Sequence, residues 1–138
     1  MPKQFTLGKN ERLKSRKLIE QLFSKGQRIG VFPYRIFYLF EKGENQHAKN
    51  KLQCGVGVST RNFKKAVDRN RIKRVTREVY RLQKKELDLI MKDHSHSLSV
   101  FLIYTGKELP AFAVVKEKMA LILQKLITIA NENIPANM

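Results

Sequence analysis

Apolar residues recur along this chain at two spacings, three to four in some stretches and two in others, and the alternation divides it into helices and strands. Leu18, Ile19, Leu22 and Phe23 share one side of a helix that opens at Ser15 as N-cap and stops at Gly26, the expected left-handed terminator. After Pro33, the run from Tyr34 to Phe40 is dense in aromatic and β-branched residues and short for a helix, which predicts a strand. Tyr34, Ile36, Tyr38 and Phe40 occupy one face of it, and Arg35, Phe37 and Leu39 the other. The polar stretch 41–51 returns the chain for a second strand over 52–59, and the two are expected to pair as an antiparallel hairpin. Gly55 and Gly57 strip side chains from one face of that strand, which marks a bulge or a close approach by a neighbouring element or ligand.

A second helix is expected between Arg61 and Lys85, with Val67, Val75, Val79 and Leu82 along one stripe. Arg69, Asn70, Lys73, Arg74, Arg77, Arg81 and Lys84 project to the opposite side, while Arg71 projects near the apolar stripe. Residues 86–97 read as a hydrophilic connection, and Leu98 to Tyr104 as a buried strand. A last helix follows Pro110, with Val115, Met119, Ile122, Leu123, Leu126 and Ala130 on its core side. Residues 1–9, punctuated by Pro2 and Gly8, form an extended basic arm suited to lying along RNA, and 131–138 form a frayed tail. One domain spanning 1–138 is expected.

Charge sharpens this picture. Between Arg61 and Lys85 stand eleven cations against two acids, Asp68 and Glu78. The whole chain of 138 residues carries 28 Lys and Arg against 12 Asp and Glu, yet 42% of it is hydrophobic, so it is a folded basic domain and no disordered tail. A helix face so poorly neutralised repels itself until a polyanion covers it, which makes nucleic acid the leading partner. Arg12, Lys14, Arg16 and Lys17 add positive charge at the start of the first helix, where the helix dipole disfavours it, and are read as phosphate contacts.

Candidate chemistry is sparse. The acids are scattered, His94 and His96 would point to opposite sides of an extended chain, and His47 sits in another loop, so no protein metal site is expected. No phosphate-cradling glycine loop, nucleophile elbow or paired-cysteine motif is present. Cys54 stands alone in an apolar run and is read as a buried small residue. No window is apolar enough to span a membrane and no apolar run of signal-peptide length opens the chain, so a cytoplasmic protein is expected. From the residues alone, this is an RNA- or DNA-binding α/β domain without catalytic residues of its own.

The run Ala66-Val67-Asp68-Arg69-Asn70-Arg71-Ile72-Lys73-Arg74-Val75-Thr76-Arg77-Glu78, following Gly55-Val56-Gly57-Val58-Ser59, closely resembles the signature of the bacterial ribonuclease P protein subunit. The order of elements from Arg12-Leu13-Lys14 to the terminal helix agrees, so the resemblance covers most of residues 10–130. It implies an α/β (α+β) sandwich, a small mixed sheet of about four strands packed with three main helices, in which the basic helix joins two parallel strands by an unusual left-handed crossover. It also implies that the catalyst is a large RNA, which uses magnesium ions to hydrolyse the bond between the 5′ leader and mature tRNA, with no cofactor bound by the protein. The expected partners are ribonuclease P RNA and precursor tRNA, with no membrane and no obligate protein partner.

On the same resemblance Arg61, Lys65, Arg69, Asn70, Arg71, Lys73, Arg74 and Arg77 face the catalytic RNA, where guanidinium forks suit phosphate oxygens and asparagine a ribose or base edge. Arg12, Lys14, Ile19, Phe23, Tyr34 and Tyr38 are the expected leader-binding set, in a cleft between the first helix and the sheet. Ile19 stands where the family often has an aromatic, and Thr60-Arg61 replaces a usual pair of lysines. A ribosomal or other structural RNA-binding protein is the alternative. A DNA-binding repressor ranks third, because no helix and short turn precede the basic helix as a helix-turn-helix requires.

Overall fold

The computed structural model describes residues 12–13, 15–42, 52–92 and 96–133. The expected arm at 1–9, Lys14, His47 and His94 lie outside these residues. So does most of the expected tail, although residues 131–133 belong to the last helix.

The first helix, α1 (Arg16–Lys25), starts at the predicted cap, with the Leu18 N–H donating to Ser15 Oγ at 3.3 Å. Gly26 ends it differently from expectation. Its φ of −73° is extended, and its N–H donates to the Leu22 carbonyl at 3.0 Å. Glycine is needed there for space: a Cβ would come within 2.9 Å of the Tyr38 carbonyl. The chain then enters a strand the periodicity did not predict, β1 (Gln27–Val31), turns at Phe32 and the cis-bonded Pro33, and returns as β2 (Tyr34–Lys42). β3 (Leu52–Val58), α2 (Ala66–Gln83), α3 (Lys85–Lys92), β4 (His96–Tyr104) and α4 (Phe112–Asn133) follow. Among the described residues no helix is long and apolar enough to cross a membrane.

The four strands form one mixed sheet in the order β1-β2-β4-β3. β2 does not pair with β3 as a hairpin; it pairs antiparallel with β1 and β4, and β3 pairs parallel with β4. The physical reason lies in β4. Leu98, Val100, Leu102 and Tyr104 are buried on one face of it, while Phe101 and Ile103 pack on the other, so a central position satisfies both faces. Parallel pairing then requires a crossover, which α2 and α3 supply.

Two apolar clusters sandwich the sheet. The larger joins Tyr34, Ile36, Leu52, Cys54, Val100 and Leu102 to α2, α3 and α4; the smaller joins Leu13, Leu18 and Leu22 to Phe37, with Ile19, Leu39, Phe101 and Ile103 around them. All six core positions expected on α4 are buried. On α2 the buried stripe is Ile72, Thr76, Val79 and Tyr80, rotated from the predicted one. Val67 is 77% exposed and Leu82 also faces out. Thr76 and Tyr80 look polar as letters, but Thr76 Oγ1 and the Tyr34 hydroxyl hydrogen-bond at 2.7 Å inside the core, and this pair locks the helix to the sheet. The rotation also turns Arg71 outward. The expected hydrophilic connection contains α3, which buries Leu87 and Met91 and carries Glu86 and Asp88 in its first turn, acids that complement its dipole.

Candidate nucleic-acid interface

α2 lies against β3 through its apolar stripe, so its far side is free to present charge. Arg61, Lys65, Asn70, Arg71 and Arg74 are exposed, and Lys73 and Arg77 are partly so. Two of the cations on the helix are engaged by acids: Arg81 meets Glu78 at 2.8 Å and Lys84 meets Asp88 at 3.5 Å.

Arg69 has a second occupation. Its Nη1 donates to the carbonyls of Phe63 and Lys64 at 2.7 and 2.8 Å, clasping the segment that leads into the helix. Lys65, at the N-cap, offers no side-chain cap, so this clasp does the ordering that a cap residue would otherwise do. The turn before it is tied down by Asn62, whose Nδ2 donates to the carbonyls of Thr105 and Gly106, both at 3.3 Å. The presentation of the Arg69-Asn70-Arg71 turn is therefore built from both ends of the crossover.

Arg12 joins this side rather than the α1 cleft. It forms a parallel bridge with Cys54 on the outer edge of β3, and the Leu13 N–H donates to the Cys54 carbonyl at 3.0 Å. Successive residues of an extended chain point to opposite faces, and Leu13 enters the α1 cluster. The Arg12 guanidinium instead acts on Arg77, whose pKa is lowered by burial first and by the Arg12 charge second. Arg12 Nε is buried with no hydrogen-bond partner. Beside them, burial pushes the Cys54 thiol up to about 12.

The other face of the sheet carries aromatic rings. Phe23 on α1 is 49% exposed and stands edge-on to Phe37 of β2 and to Phe101 of β4, with centroids 4.9 and 5.6 Å away. Arg28 on β1 holds its Cζ 5.8 Å from the Phe37 centroid, within reach of a cation–π attraction. Arg16, Lys17 and Arg35 are exposed, and Arg35 shares the strand face of Phe37. Rings with cations around them suit unpaired nucleotides, which stack on the former while the latter neutralise phosphate.

The expected leader set is thus divided. Ile19 and Phe23 lie on the α1 face, Arg12 on the α2 side, and Lys14 outside the described residues. Tyr34 and Tyr38 project to the opposite face of β2, toward α2 and α4. Tyr34 is 2% exposed and bonded to Thr76, which removes it from any surface, and Tyr38 packs beside the main core with Glu132 near its hydroxyl. The rings that stand beside Phe23 on its face are Phe37 and Phe101. The two-residue parity of β2 already separated Phe37 from the tyrosines, but only the strand order brings Phe101 beside it. Among the described residues no group of three or more His, Cys, Asp or Glu side chains comes together that could hold a metal ion.

Comparison with known proteins gives a consistent result. The family model described as Ribonuclease P matches residues 7–127. A ribonuclease P protein component from Porphyromonas gingivalis is 33% identical over 136 residues, 99% of this chain and 94% of the relative. One from Chlorobium phaeobacteroides is 27% identical, with 88% of each chain covered. Among solved structures, the RNase P protein from Thermotoga maritima superposes with a TM-score of 0.63 at 22% identity, covering 83% of this chain and 96% of that one. The Staphylococcus aureus RNase P protein gives 0.62 at 18% identity, covering 84% and 94%.

Proposed function

This chain belongs to the ribonuclease P protein family, and from that premise we propose that it is the protein subunit of ribonuclease P, assisting endonucleolytic removal of the 5′ leader from precursor tRNA. The hydrolytic groups and the magnesium belong to the partner RNA; this chain supplies binding energy and no nucleophile. Its α2 face neutralises phosphates of the catalytic RNA through Arg61, Lys65, Arg71, Lys73, Arg74 and Arg77, joined by Arg12, while Asn70 hydrogen-bonds a ribose or base edge. That neutralisation lowers the repulsion between two polyanions and fixes the RNA geometry in which magnesium is held.

The single-stranded leader lies on the opposite face, over Phe23 with Phe37, Phe101 and Ile19 beneath and around it, and with Arg28 and Arg35 for its phosphates. Stacking tolerates any base, as a subunit serving many precursors requires. The observation that carries this reading is the outward Asn70, Arg71 and Arg74 of a helix whose acids are so few.

The test is reconstitution with a ribonuclease P RNA at low magnesium. Addition of the protein is expected to stimulate correct 5′ processing and to lower the magnesium requirement. Tight RNA binding without stimulation would replace the reading with that of a structural RNA-binding protein.

A further inference from the structure

Phe23 is the exposed ring of the aromatic face, yet its position is set by rings beneath it, and those rings depend on what lies under them in turn. Phe101 reaches sideways from β4 across β3. An added Cβ at Gly55 would meet Phe101 Cδ1 and Cε1 at 2.7 and 2.8 Å, and one at Gly57 would meet Cε2 and Cζ at 3.0 and 3.2 Å. One edge of the ring therefore rests over each glycine. Glycines two apart in a strand share a face, and the register sets Gly55 opposite Phe101 and Gly57 opposite Ile103. Two glycines in a seven-residue strand weaken its intrinsic β-preference, so the bare strip needs a reason beyond the sheet itself. Phe23 stands at 90° to Phe101 and at 76° to Phe37, supported from two sides.

We propose that Gly57, together with Gly55, is a positioning residue for leader binding: the bare strip of β3 seats Phe101, and Phe101 with Phe37 holds Phe23 at the angle at which an unpaired base stacks on it. This rests on the leader reading given above. Any side chain at either glycine lifts the Phe101 ring by tenths of an ångström or more and removes one of the two supports of Phe23. Gly57 is the better probe. At Gly55 an added Cβ would also come within 3.2 Å of the Leu13 carbonyl, and so would disturb the bridge at the sheet edge as well as the ring.

The experiment uses the protein reconstituted with ribonuclease P RNA and measures affinity for precursor tRNA and for mature tRNA in Gly57→Ala, Phe23→Ala and the double variant. Gly57→Ala is expected to lower the ratio of precursor to mature affinity by about 3- to 10-fold, a fraction of what losing one stacked base costs. In the Phe23→Ala background it is expected to lower the ratio no further, because the two changes act through one ring. Phe101→Leu, which removes the ring without crowding β3, reproduces the loss and serves if Gly57→Ala does not fold. In the free protein, the ring resonances of Phe23 shift in both variants. A Gly57→Ala loss undiminished by Phe23→Ala, or Phe23 resonances that do not move, overturns the positioning role. If Phe23→Ala itself leaves the ratio unchanged, the leader reading of that ring fails, while the resonances still decide whether the glycines position it.

Discussion

Arg69 and Arg74 look alike in the sequence, one turn and a residue apart on the same basic helix, yet the structure gives them different work. Replacing Arg74 by Gln removes an exposed charge. Such surface changes leave stability within about 0.5 kcal/mol. Replacing Arg69 by Gln opens the clasp on the Phe63 and Lys64 carbonyls, two short bonds from a charged donor. Bonds of that kind contribute roughly 1.5–3 kcal/mol each when buried. Here one is part-buried and the other exposed, which brings the expected loss to about 1–2 kcal/mol in total. For a chain of this size that corresponds to a fall of about 3–8 °C in melting temperature.

Thermal unfolding of the free protein and a salt titration of its binding to ribonuclease P RNA separate the two arginines. Arg74→Gln is expected to melt with the parent and to reduce the slope of log affinity against log salt by about 0.7–0.9, the counterion term of one phosphate. Arg69→Gln is expected to melt lower, since a shorter, neutral side chain cannot hold both carbonyls. Equal melting temperatures with equal slope changes would refute the clasp and return Arg69 to the set of simple phosphate ligands.

Two further predictions concern the core. Burial pushes the Tyr34 hydroxyl up to about 12, against a smaller opposing effect of its bond to Thr76, so the folded protein holds that proton more tightly than the unfolded chain. The stabilisation is complete below pH 10 and is lost as pH rises through 12, about 2–3 kcal/mol over the window. Tyr34→Phe is therefore expected to be less stable than the parent at pH 7, with the gap in unfolding free energy narrowing between pH 10 and 12; a constant gap would contradict the assignment. Cys54, buried with its thiol pushed up to about 12, is expected to resist a disulfide reagent at pH 8 until the protein unfolds. Immediate stoichiometric labelling of the native protein would show that β3 opens at its edge.

The parts of this fold that could be read from sequence are those where the chain's own periodicity decides the outcome. α4 shows its six core positions because one face of a long helix is buried along its length, and α1 shows its cap because Ser15 acts locally. β1 was hidden because Gln27-Arg28-Ile29-Gly30-Val31 is an edge strand with one buried residue, held by backbone bonds that leave little apolar pattern. α3 was hidden by its charged ends. The rotation of α2 is not legible in its own spacing because Thr76 buries its hydroxyl only by meeting Tyr34, far away in sequence, with Ile72 and Tyr80 buried on either side of it. Strand order was out of reach for a different reason: pairing joins residues far apart in sequence, and no local spacing encodes it.

The same distinction governs the interface. The density of cations is plain in the sequence, but that one of them supports the fold is not, because Arg69 finds its acceptors only once the 63–65 segment folds back. The aromatic face needed β4 in place before Phe101 could be counted with Phe37. The resemblance places Tyr38 in the cleft, and one step of strand parity sends it to the other side of the sheet.

The seat of β4 between β2 and β3 has a consequence for how the polypeptide comes into being on the ribosome. Of the four strands β4 is the last to be synthesised, so β3 emerges before the one strand it pairs with, and the hairpin of β1 and β2 waits with one open flank. Until β4 is made, β2 and β3 have no strand between them, and closure of the sheet waits on the segment His96–Tyr104.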